Sequence, residues 1–147
     1  MDSAFGAEGA RPTGPRQAEG LPHLPHLLPE ACEALLRHVA SCAPEEGCGV
    51  LLGRRGAVQE IVEAVPGRNA AAGDRTREYT LDPADLIAAL AHARREGLEL
   101  LGFYHSHPGG ACFSAADRAA AWPGMLYLVV SLRPGGEAEF AWHGGAP

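Results

Sequence analysis

The chemistry most readily read from this chain lies in thirteen residues, His105-Ser106-His107-Pro108-Gly109-Gly110-Ala111-Cys112-Phe113-Ser114-Ala115-Ala116-Asp117. They follow Leu98-Glu99-Leu100-Leu101-Gly102-Phe103-Tyr104, a short bulky run after Gly97 that reads as a buried strand. Side chains two apart on a strand share a face, so His105 and His107 can reach one ion together while Ser106 points the other way. Pro108 and Gly109-Gly110 turn the chain. Ser114-x-x-Asp117 then opens an Ala-rich helix and puts the Asp117 carboxylate in its first turn, able to fold back toward the histidines. Two imidazoles and a carboxylate make a three-ligand zinc site with a fourth position open to water.

Simpler readings exist for each part. Ser114-x-x-Asp117 is also an N-terminal capping pattern, and taken alone that is its commoner role. Capping and metal binding are compatible here. A lone histidine at a strand end is usually a hydrogen-bonded structural residue, but His-x-His followed by an acid within a short turn is hard to explain by packing.

The segment resembles the JAMM (MPN+) zinc metalloproteases, in which a glutamate precedes His-Ser/Thr-His-Pro and Ser-x-x-Asp. The chain has His105-Ser106-His107-Pro108 and Ser114-x-x-Asp117, and Glu46-Gly47-Cys48-Gly49-Val50-Leu51-Leu52-Gly53 looks like the family's first-strand segment. The resemblance spans about Pro29 to His143 and implies a cytidine-deaminase-like JAMM/MPN fold. It implies that His105, His107 and Asp117 bind one zinc ion, that Glu46 is the general base and later acid, and that the Ser114 hydroxyl stabilises the oxyanion. The gap of six residues between His107 and Ser114 is one shorter than the family usually shows. By the same resemblance the reaction is hydrolysis of the peptide or isopeptide bond after the C-terminal Gly-Gly of a ubiquitin-like or sulfur-carrier protein, whose tail binds as an added strand. Two alternatives come from other classes: a non-catalytic MPN-type scaffold, and a RadC-like DNA-associated module.

Placing these groups requires a sheet and covering helices. Apolar positions Ala31, Ala34, Leu35, Val39 and Cys42 recur at helical steps after Pro29, giving an amphipathic helix over residues 30–42 that leaves Glu46 at a helix–strand junction. Two strands over 49–53 and 57–65 form a hairpin through Arg54-Arg55-Gly56. Residues 66–78 lack periodicity and read as a long mobile loop, for which binding and mere solubilisation are equally good accounts. Tyr79-Thr80-Leu81 reads as a short strand, and Asp82-Pro83 starts a second helix that Gly97 ends. Strands over 125–132 and 138–143 follow the motif. The fold class expected is α+β, an α/β sandwich with a mixed, mostly antiparallel sheet flanked by helices.

At 147 residues this is one domain, expected over 21–147 behind a disordered tail at 1–20; within it Leu21 to Pro29 reads as an extended surface segment. The tail lacks the apolar centre of a secretory signal, so a cytoplasmic protein is expected. No apolar run approaches the roughly 20 residues of a membrane span. The net charge of −6 and the absence of lysine argue against nucleic acid as a partner. Cys32, Cys42, Cys48 and Cys112 show neither zinc-ribbon nor disulfide spacing. Cys112 is read first as structural, then as redox-sensitive, and last as a nucleophile, since a cysteine protease would need a histidine that the metal already uses.

Overall fold

A computed structural model describes residues 18–19, 21 and 23–144. The tail expected at 1–20 lies outside the described residues apart from Ala18–Glu19. Among the described residues ten elements occur in order: β1 (Ala18–Glu19), β2 (His26–Leu27), α1 (Pro29–Cys42), β3 (Cys48–Arg54), β4 (Glu60–Gly67), α2 (Pro83–Glu96), β5 (Glu99–Ser106), α3 (Ala115–Ala120), β6 (Leu126–Leu132) and β7 (Ala138–Gly144). The strands form one sheet in the order β1-β7-β6-β5-β3-β4-β2. Strand β3 runs antiparallel to both β4 and β5, and β6 antiparallel to β7. Strands β5 and β6 are parallel. A parallel pair needs a crossover rather than a tight turn, and the segment carrying the His-x-His motif and α3 is that crossover. The motif therefore leaves the sheet at its middle, where β5 ends.

Helices α1 and α2 each cover one face of the sheet. Helix α1 has Pro29 in its first turn and buries Ala31, Leu35 and Val39 against Leu51, Leu101, Tyr104 and Leu128. Burying each such leucine contributes about 1.5–3 kcal/mol relative to leaving it in water. Helix α2 is capped by Asp82, whose carboxylate accepts from the Ala84 N–H, and ends at Gly97 in the left-handed region (φ 69°). It buries only alanines, Ala89 and Ala93, which let it lie close over Val50, Leu52, Phe103 and Val129. No helix among the described residues is long and apolar enough to cross a membrane.

Two expectations are revised. Residues 21–29 are more than an extended surface segment, since His26–Leu27 pairs in parallel with β4 through bonds such as His26 N–H to Gln59 O. Tyr79-Thr80-Leu81 does not form a strand; a single antiparallel bridge joins Leu81 to Asn69. The reason is local, because the Asn69 side chain takes the Thr80 N–H that a ladder would have used.

Gly102 marks where β5 and β6 approach closely, since a methyl group there would run into the backbone carbonyl of Leu126. Both strands are central, so the backbone cannot yield cheaply. Gly102→Ala is expected to cost about 2–3 kcal/mol and to lower the melting temperature by roughly 5–10 °C, as read by thermal circular dichroism.

Candidate metal centre

Strand β5 places His105 and His107 as its alternation requires, with His105 fully buried and His107 partly open to the cleft. Their Nε2 atoms lie 3.1 Å apart. Asp117 Oδ2 lies 3.1 Å from Nε2 of His105 and 3.3 Å from Nε2 of His107. Three polar atoms thus form a nearly equilateral triangle. A ring nitrogen carries at most one hydrogen, and three mutual contacts in a triangle cannot all be linear hydrogen bonds. Ligands about 2.0–2.1 Å from a tetrahedral zinc stand roughly 3.3 Å from one another, so the donor set fits a metal ion better than it fits a hydrogen-bonded cluster.

Glu46 completes the cluster. It is 5% exposed despite being charged in type, and its Oε2 lies 4.0 Å from His107 Nε2. Glu46, His105 and His107 offer ligand atoms within 4.8 Å of one another, so a second triad could be drawn with Glu46 in place of Asp117. The shorter contacts favour Asp117 as the third member and leave Glu46 beside the triangle.

The surrounding chain explains these positions. Ser106 points to the other side, as alternation predicts: its Oγ accepts from the Gly47 N–H at 2.8 Å, and its own N–H donates to the Gly47 carbonyl at 2.9 Å. That reciprocal pair ties the Glu46 segment to the end of β5. Ser114 and Asp117 form a capping box, in which the Asp117 N–H donates to Ser114 Oγ and the Ser114 N–H donates to Asp117 Oδ2. Capping and convergence on the histidines thus use the same carboxylate, and the Ser114 hydroxyl keeps its own proton for another acceptor.

Electrostatics follow burial and charge. Burial pushes the Glu46 carboxyl up to about 7, opposed by His107 and reinforced by Asp117 and Glu78. Burial also lowers His105, against the pull of Asp117, which favours the neutral ring that binds metals. Burial would lower His107 too, but the hydrogen bond and charge of Asp117 and the charge of Glu46 raise it. Asp117 is held well below the usual carboxylate range: desolvation would raise it, and the hydrogen bonds from both imidazoles overcome that.

The centre lies in the wall of a cleft of about 920 Å³, lined by residues 76–81, by residues 107–110 with Cys112, Ser114, Ala116 and Asp117, and by Phe103, Trp122 and Tyr127 among its apolar contributors. Cys112 is exposed and lines the cleft, while burial pushes the thiols of Cys32 and Cys48 up to about 11 and about 12. Two contacts beside the centre are not evident from the sequence. Tyr79 stacks on His105 with ring centroids 4.4 Å apart and planes 25° apart. This stack orients a ring whose buried Nδ1 has no hydrogen-bond partner among the described residues. Asn69 anchors the 66–78 segment, which is held by side-chain bonds rather than left as a loose loop. An asparagine after Gly67-Arg68, amid small residues, was the signal available for such a turn.

The Prok-JAB family, prokaryotic homologs of the JAB domain, matches residues 29–143. The chain is 39% identical over 111 residues to a desampylase of Haloferax volcanii, covering 71% of this chain and 78% of that protein. It is 43% identical over 84 residues to a probable TtuB-protein conjugate cleaving protease of Thermus thermophilus, covering 57% of this chain and 51% of that one. Among solved structures, a protein of Desulfitobacterium hafniense superposes with a TM-score of 0.66 at 30% identity, covering 74% of this chain and 75% of that chain. One of Salinibacter ruber gives 0.60 at 36% identity, covering 80% and 79%. With the match extending from the first residue of α1 to the penultimate residue of β7, this chain belongs to the Prok-JAB family.

Proposed function

We propose that this protein is a zinc-dependent peptidase that hydrolyses the bond joining the C-terminal tail of a ubiquitin-like or sulfur-carrier protein to the peptide or amine conjugated there. The observation that carries the reading is the triangle of His105, His107 and Asp117 with Glu46 beside it, at the wall of an open cleft. Relatives named for cleaving conjugates of such proteins supply the substrate class.

His105, His107 and Asp117 would hold the ion. When bound, zinc supplies Lewis acidity, which acidifies water and polarises a carbonyl. Glu46, raised to about 7 by burial, takes a proton from the attacking water near neutral pH and returns it to the leaving amine. The Ser114 hydroxyl, whose oxygen already accepts from the Asp117 N–H, donates its hydrogen to the oxygen that becomes negative. Residues 76–81 and the Gly109-Gly110 turn both line the cleft in which an extended, small-residue tail can lie with its carbonyl toward the histidines.

The test is incubation of the zinc-loaded protein with a ubiquitin-like protein joined through its terminal glycine to a peptide, with the products read by mass spectrometry. The expected product is the carrier ending in intact Gly-Gly, formed with zinc and lost after chelation. Absence of cleavage at full zinc loading, or cleavage indifferent to chelation, would overturn the reading.

A further inference from the structure

Five hydrogen bonds meet at one side chain that none of the chemistry above uses. The Asn69 amide nitrogen donates to the Glu46 carbonyl at 3.0 Å, to the Glu78 carbonyl at 3.0 Å and to the Arg75 carbonyl at 3.5 Å. Its amide oxygen accepts from the Ala71 N–H at 3.1 Å and from the Thr80 N–H at 3.2 Å. Asn69 thereby joins both ends of the segment that walls the cleft to the backbone of Glu46. The Glu46 N–H donates to the Arg75 carbonyl at 2.8 Å, so both backbone polar groups of Glu46 are engaged by this one segment. On its other side Gly47 is fixed by Ser106. The carboxylate of Glu46 therefore sits on a backbone clamped between the end of β5 and the Asn69-organised wall.

We infer that Asn69 is a positioning residue: its amide sets the cleft wall and Glu46 as one unit, so that the base is correctly placed only when the wall is. The inference rests on the proposed role of Glu46. Only an amide fills this post. The donor edge reads carbonyls and the acceptor edge reads N–H groups; a carboxylate has no donor, and a hydroxyl has one hydrogen where two carbonyls must be met. A general base displaced by about 1 Å loses on the order of 100-fold in rate, whereas the triangle of His105, His107 and Asp117 makes no contact with Asn69 among the hydrogen bonds above.

The isosteric Asn69→Asp separates the two edges, since it keeps an acceptor for the Ala71 and Thr80 N–H groups and removes the donors to Glu46 and Glu78. In the zinc-loaded full chain, well below its melting temperature, the variant is expected to lose ten- to a hundredfold in kcat. KM should rise as well, because the same wall holds the tail, whereas zinc affinity, read by chelator competition, should stay within about threefold. Amide hydrogen exchange at Glu46 should accelerate at least tenfold while Ser106, bonded to Gly47, keeps its protection. A purely structural role would instead lower the melting temperature and zinc affinity together and leave kcat per folded, zinc-loaded molecule unchanged. That outcome, or unchanged exchange at Glu46, overturns the inference. If the parent cleaves nothing but exchange at Glu46 still accelerates in the variant, the coupling of Asn69 to Glu46 is upheld and the proposed function falls alone.

Discussion

Replacing Glu46 by glutamine is expected to lower kcat by about 10²–10⁴, the range in which a positioned general base contributes, with zinc content and KM close to those of the parent. The substitution keeps shape and removes only the ability to take a proton. Glu46 is buried, and its carboxyl is raised to about 7, so the folded protein bears a desolvation cost whenever that group ionises. A neutral amide does not carry that cost. An unfolded glutamate ionises near 4.5 and the folded one near 7, so the parent loses stability as pH rises between those values and has lost nearly all of it at neutral pH; the variant should therefore melt higher than the parent at neutral and alkaline pH and like it below about pH 4.5. A carboxylate used as a metal ligand would behave oppositely, because its loss would weaken zinc binding together with rate. Steady-state kinetics, metal analysis and a thermal scan on one preparation separate the cases. If Glu46→Gln is as fast as the parent, another group moves the proton. If it fails to hold zinc, the triad containing Glu46 is the real ligand set and Asp117 is confined to capping.

The parts of the fold that follow local rules were legible in the sequence. Helix α1 was marked by Pro29 and a run of apolar steps, and α2 by Asp82 and Gly97, which the structure uses as caps. Strand β5 and the turn after it were legible because bulk, alternation and glycine act over a few residues. The neighbourhood of His105, His107 and Asp117 was readable for the same reason: twelve positions of chain, one strand end and one helix start suffice to bring them together. Glu46 was different. Its position depends on β3 pairing with β5, where Cys48 faces His105, and no local pattern encodes that register, so it was found only through resemblance to a family. The roles of Tyr79 and Asn69 beside the centre were not legible for a related reason. They act through contacts 26 and 23 residues away in sequence, within a stretch lacking periodicity because side-chain-to-backbone bonds hold it instead of a ladder. The short edge strands β1 and β2 were invisible because two residues are too few to show alternation.

Removing an imidazole tests the metal centre without any assumption about substrate. His107 is the suitable choice, because it is open to the cleft whereas His105 is wholly enclosed in the sheet. Structural zinc sites with four protein ligands bind with roughly 10–16 kcal/mol, about 3–4 kcal/mol for each ligand, so His107→Ala should weaken zinc binding roughly a hundred- to a thousandfold and abolish measurable turnover. The same loss appears in stability. Zinc at a hundred times its dissociation constant stabilises the parent by about 2.7 kcal/mol, a rise in melting temperature of roughly 5–10 °C for a domain of this size. At that zinc concentration the variant gains at most about 0.4 kcal/mol, a shift of roughly 1 °C. The metal-free variant should be somewhat less stable than the metal-free parent, because the His107 imidazole is one of the two whose hydrogen bonds hold Asp117 below its usual range, so the quantity to compare is the zinc-induced shift within each protein. An equal zinc-induced shift in parent and variant would place the metal elsewhere. No shift in the parent would mean that the triangle is a hydrogen-bonded cluster, and the peptidase reading would lose its chemical basis.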